Sequence, residues 1–192
     1  MLSITKTASL KFDFTSILFH IYMSQKANKD SKWEGKSSIE VKSVSAEQIW
    51  GLLEDFCSFH KWVPGLDSEK CGYVEGAYGE PGLIRLSVFT QQSSSTLANN
   101  DTDTKWCNEK LLSMDRTQRT LSYKITENNL GFRSYVGNMK VMDIDGGCKI
   151  EWWFVADPVE GIMRLEDLRG FLESNVKALA EGMRNLVIQP AH

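Results

Sequence analysis

Hydrophobic and polar residues alternate with period two along most of this chain, and with the helical period in two places. From Trp33 to Val44, Ile39 and Val41 alternate with Glu40 and Lys42, the pattern of a half-buried strand. Ser45-Ala-Glu-Gln then forms a capping box before Ile49, Leu52, Leu53, Phe56 and Phe59, which share one helical face. Pro64-Gly65 closes that short helical region. Strands follow at 69–75, 83–91, 105–115, 120–126, 132–144 and 149–156, joined mostly by short turns rich in Gly, Asp and Asn. The exception is the polar tract 93–104, which has the composition of a long loop. The chain closes with Leu165, Leu168, Leu172, Val176, Leu179, Met183 and Leu186 at spacings of three and four, a long amphipathic helix. Asp157-Pro158 is the expected start of that helix, by N-cap and first-turn preference.

This order predicts an α+β fold: a curved, seven-stranded antiparallel sheet wrapped around a C-terminal helix, with one or two short helices after the first strand. Residues 33–188 make that domain, and residues 1–32 are expected to be a disordered N-terminal extension. The apolar run 12–22 is too short to span a bilayer. A cytoplasmic location is expected, with organelle targeting by residues 1–22 as the alternative.

Charge narrows the partners. The formal net charge is −3, and the five lysines and two acids of residues 1–32 leave 17 basic against 23 acidic side chains in the rest. An acidic body argues against nucleic acid and stable membrane insertion, so a small hydrophobic metabolite in an internal cavity is the expected partner. The sequence names no protein partner. The four cysteines and three histidines fall at no metal-ligand spacing. No Gly-rich phosphate loop matches a nucleotide-binding motif, and neither a metal nor a cofactor is expected.

Candidate chemistry centres on 105–115. Period two places Lys105, Cys107, Glu109, Leu111 and Ser113 on one face. Folding the chain about the 93–104 loop sets Arg85 near Glu109 on the neighbouring strand. Two readings stand level on pattern alone. The two residues form either a solvated surface ion pair or the polar pole of an apolar pocket that also presents Tyr123, Tyr135 and Trp152.

Trp33-Glu-Gly-Lys, Phe59-His-Lys-x-x-Pro, Glu109-Lys-Leu, Ser122-Tyr-x-x-Thr-Glu and Glu151-Trp-x-Phe resemble the lachrymatory-factor synthase-like proteins of plants. These lie within the Bet v 1/START-like helix-grip superfamily of polyketide cyclase/dehydrase and lipid transport proteins. The resemblance covers about residues 33–187 and implies a ligand cavity with Arg85 and Glu109 as its essential pair. It further implies a cofactor-free isomerase of alkenyl sulfenic acids, with Glu109 moving a proton and Arg85 binding the sulfenate oxygen. Tyr123 and Tyr135 would orient the substrate and Trp152 would be an apolar wall, with Phe89, Leu111 and Met139 completing the expected binding residues. Abscisic-acid receptors share an Arg and a Glu at comparable places, so the pair alone does not separate a catalyst from a carrier or sensor.

Overall fold

The computed structural model describes residues 31–90, 104–159 and 161–189. The expected N-terminal extension, apart from its last two residues, and nearly all of the 93–104 loop lie outside the described residues. The first strand, β1 (Trp33–Lys42), leads into α1 (Ala46–Leu53) and a short 3-10 helix (Phe56–Lys61). The capping box is formed: the Gln48 backbone N–H donates to Ser45 Oγ and the Ser45 N–H donates back to Gln48 Oε1. Strands β2 (Gly72–Glu75), β3 (Ile84–Phe89), β4 (Lys105–Asp115), β5 (Thr120–Asn128), β6 (Tyr135–Ile144) and β7 (Gly147–Ala156) follow, and α2 (Leu165–Ile188) ends the fold. All seven strands form one antiparallel sheet in the order β1-β7-β6-β5-β4-β3-β2. It is a meander whose first strand pairs with its last, so the curved sheet can wrap around α2.

Several boundaries differ from the periodicity by a few residues, and at three of them side chains that bond nearby backbone groups give the reason. β2 begins at Gly72 rather than residue 69, because Asp67 Oδ1 accepts from the N–H groups of Glu69 and Lys70 and holds them in a turn. β6 begins at Tyr135 rather than 132. Asn128 draws the chain into a turn there: its Oδ1 accepts from the N–H groups of Leu130 and Phe132, and its Nδ2 donates to the Phe132 carbonyl. The expected N-cap at Asp157 is not used; Gly161 turns the chain at φ +76°, and α2 is capped by Arg164 and Asp167 instead.

A bulge in β4 changes which of its residues face inward. Leu111 pairs with Tyr123 and Ser113 with Ser122, so Leu112 is the extra residue. Beyond it Met114 packs on the core and Ser113 is exposed, which corrects the single face expected for Glu109 through Ser113. Lys105, at the open end of the strand, is exposed as well.

The core lies between the concave sheet and the two helices. Leu168, Leu172, Val176, Leu179 and Met183 of α2 are buried against it, each worth about 1.5–3 kcal/mol of transfer free energy. Leu186 is 54% exposed, so the buried stripe ends at Met183.

Candidate functional site

Strand register decides the direction of Arg85 and Glu109. In the β3–β4 pair the two residues stand directly opposite each other, and Ser87 is opposite Cys107. All four are buried, Arg85 to 2% and Glu109 to 8% exposure, so the solvated surface pair is excluded. Arg85 Nε donates to Glu109 Oε2 at 2.8 Å, and Ser87 Oγ donates to the same oxygen at 2.8 Å. Among the described residues no hydrogen bond reaches Oε1.

Arg85 is clamped from the other side too. Its Nη1 donates to the Phe56 carbonyl at 2.6 Å, and the guanidinium carbon lies 3.9 Å from the Phe56 ring centroid and 4.3 Å from that of Phe59. The 3-10 helix after α1 thus supplies a carbonyl and two aromatic faces to a cation that would otherwise be costly to bury.

Glu109 and Ser87 line a cavity of about 70 Å³ together with Tyr123, Tyr135, Trp152 and Phe89. Arg85 is not among the lining residues and stands behind Glu109. Leu111 and Met139, 0% and 1% exposed, are packed into the core beside the cavity and do not border it. Pattern reading assigned no role to Ser87, although it shares the inward face of β3 with Arg85. It placed Cys107 on the Glu109 face and Leu168 on the inward helical stripe but gave neither a cavity role, nor Phe132 or Phe171; all four are on the lining.

The two tyrosines stay neutral. Burial pushes the Tyr123 hydroxyl well above its usual value, and Tyr135 is raised by burial and then by the nearby Glu109 charge. Trp152 Nε1 donates to the Tyr123 hydroxyl at 3.1 Å, and the Tyr123 and Tyr135 rings lie at a tilt with centroids 6.3 Å apart. The Trp152–Tyr123 bond lies in the cavity wall, which both residues line. Its geometry depends on Gly137, where a Cβ would fall 2.3 Å from Tyr123 Cζ. Cys107 is 2% exposed, and burial raises its thiol well above the ordinary range, so it is an apolar wall and not a nucleophile. Among the described residues no cluster of His, Cys, Asp and Glu could hold a metal ion, and no helix is long and apolar enough to cross a membrane.

The arrangement defines the class: a curved antiparallel sheet gripping its C-terminal helix, with a buried ion pair at the wall of the cavity between them. A sequence model described as "Polyketide cyclase / dehydrase and lipid transport" matches residues 32–187, and the chain belongs to that family. Solved structures share the fold at low identity. The protein XoxI from Bacillus cereus is 20% identical with a TM-score of 0.60, covering 81% of this chain and 99% of its own. Major latex-like protein 151 from Panax ginseng is 16% identical with a TM-score of 0.57, covering 82% and 99%. Ara h 8.0201 is 16% identical with a TM-score of 0.60, again covering 82% and 99%. The Bet v 1-like helix-grip fold is therefore established.

Proposed function

We propose that the protein is a cofactor-free isomerase that moves a proton within a small substrate, with Glu109 as the general base and acid. The observation that carries this reading is the asymmetric satisfaction of Glu109. Arg85 and Ser87 both occupy Oε2, which leaves Oε1 of a pre-oriented carboxylate for a ligand in the cavity. The resemblance to lachrymatory-factor synthase-like proteins supplies a candidate reaction. Glu109 accepts the O–H proton of an alkenyl sulfenic acid and returns it to the alkene carbon that is not bonded to sulfur. The double bond shifts to carbon–sulfur and a thial S-oxide results, with no redox partner.

Arg85 in this reading holds the Glu109 carboxylate aimed, while Tyr135 donates to the substrate oxygen, the role the resemblance had implied for Arg85. Cavity size supports a small substrate: one water needs roughly 10–15 Å³ of such space, so about 70 Å³ suits a handful of non-hydrogen atoms.

The test couples the purified protein to an alliinase and an alkenyl cysteine sulfoxide and assays the S-oxide. Product is expected, and Glu109→Gln should lower its rate by about 10²–10⁴-fold with the fold intact. A folded wild-type protein that yields no S-oxide removes this reaction. The second reading, a non-catalytic carrier or sensor of a plant metabolite or lipid, is favoured by the apolar lining contributed by Phe89, Phe132 and Trp152. It predicts ligand-dependent melting shifts that Glu109→Gln leaves in place.

A further inference from the structure

Next to the cavity at Glu109 lies a second hollow of about 350 Å³. Its lining is apolar apart from Lys105 and Asp167, and both Asp167 oxygens already accept from Arg164. Phe89, Phe132, Leu168 and Phe171 line both spaces, so these four side chains form the partition. The Phe89 and Phe171 rings meet there at a tilt, with centroids 6.1 Å apart.

Phe171 is an unusual partition. It is a large apolar side chain on α2, yet it is 41% exposed. Its neighbour Gly170 adds no side chain, and a Cβ there would meet nothing within 4 Å. Among the described residues, the Phe171 ring thus stands at the edge of the packed core and not within it.

We propose that the two hollows are one bipartite site for a linear amphiphile. The oxygen-bearing head sits at Glu109 and Tyr135, and the hydrocarbon chain passes between Phe89 and Phe171 into the outer hollow. Phe171 then determines the chain length accepted. The proposal rests on the cavity at Glu109 being the ligand site, but on no particular chemistry there. It gives the outer hollow an occupant because the inner one holds a polar head and little more, while the larger space beyond offers almost no hydrogen-bonding groups.

Straight-chain primary alcohols test it, because a hydroxyl can donate to Glu109 and accept from Tyr135 without sulfur chemistry. Isothermal titration calorimetry with the full-length protein, from propan-1-ol to octan-1-ol, should show affinity rising by about fourfold per methylene past the shortest members. Met163→Trp fills the outer hollow from the segment before α2. It should weaken octan-1-ol at least about tenfold while changing propan-1-ol far less. Leu130→Trp, entering from the other side, should do the same. Affinity that levels off after the shortest alcohols overturns the proposal. So does an absence of binding throughout, or a rise equally steep in both tryptophan variants. A silent S-oxide assay with a rising alcohol series would instead count only against the isomerase reading.

Discussion

Arg85 is held by a carboxylate, a backbone carbonyl and two aromatic faces, and these neighbours offset the cost of burying it. That makes the two members of the ion pair unequal to their sum. Arg85→Met should destabilise the protein by about 3–5 kcal/mol, because it leaves Glu109 as an uncompensated buried charge. Adding Glu109→Gln removes that charge, so the double variant should be no less stable than Arg85→Met alone, as read by urea denaturation. Costs that simply add would mean that the pair is not coupled. The pairing itself was legible in the sequence, since consecutive strands joined by one loop bring Arg85 and Glu109 together. Ser87 was not. A serine on a strand apolar on both faces carries no periodic signal, and its role appears only when its hydroxyl is seen on Glu109 Oε2.

At the scale of elements, alternation located every strand but not every end. Asp67 and Asn128 terminate strands through side-chain bonds to nearby backbone groups, which hydrophobic periodicity does not register. The bulge at Leu112 was equally silent, because Leu-Ser-Met fits either face. Alternation also cannot tell a residue beside a void from one beside a packed neighbour. Leu111 and Met139 point inward as expected yet border core, while Phe171, one helical step beyond Leu168, borders the cavity. The capping of α2 yields a pH prediction. Arg164 holds the Asp167 carboxyl down from 3.8 to about 2. A depressed carboxyl contributes stability above its unfolded value and loses it as pH falls toward the folded one. Wild-type protein should therefore lose more of its melting temperature between about pH 5 and about pH 2 than Asp167→Asn does. Equal losses would show that this cap does not contribute.

For the whole molecule, the buried phenols set an alkaline limit. Tyr123 and Tyr135 are both raised above the usual tyrosine value by burial. The unfolded chain releases those protons first, so their contribution is intact below about pH 10 and falls as pH rises above it. In an alkaline titration the phenolate absorbance of two tyrosines should appear only together with the loss of folded structure by circular dichroism. Phenolate signal from all five tyrosines before any unfolding would contradict the burial of this pair. Fold class was legible at this scale because strand order and helix placement follow from periodicity and turn chemistry. The volume of the cavity was not, since it depends on how side chains from β3 through β7 and α2 meet. One further consequence follows from Arg85 and Glu109 facing each other across a single pair of strands. Their juxtaposition is a property of a hairpin, whose ladder register does not depend on how many residues connect Phe89 to Lys105. Doubling such a connection costs only about 0.6 kcal/mol in closure entropy. Descendants of this gene can therefore lengthen, shorten or rewrite that segment while the acid–base pair is inherited unchanged.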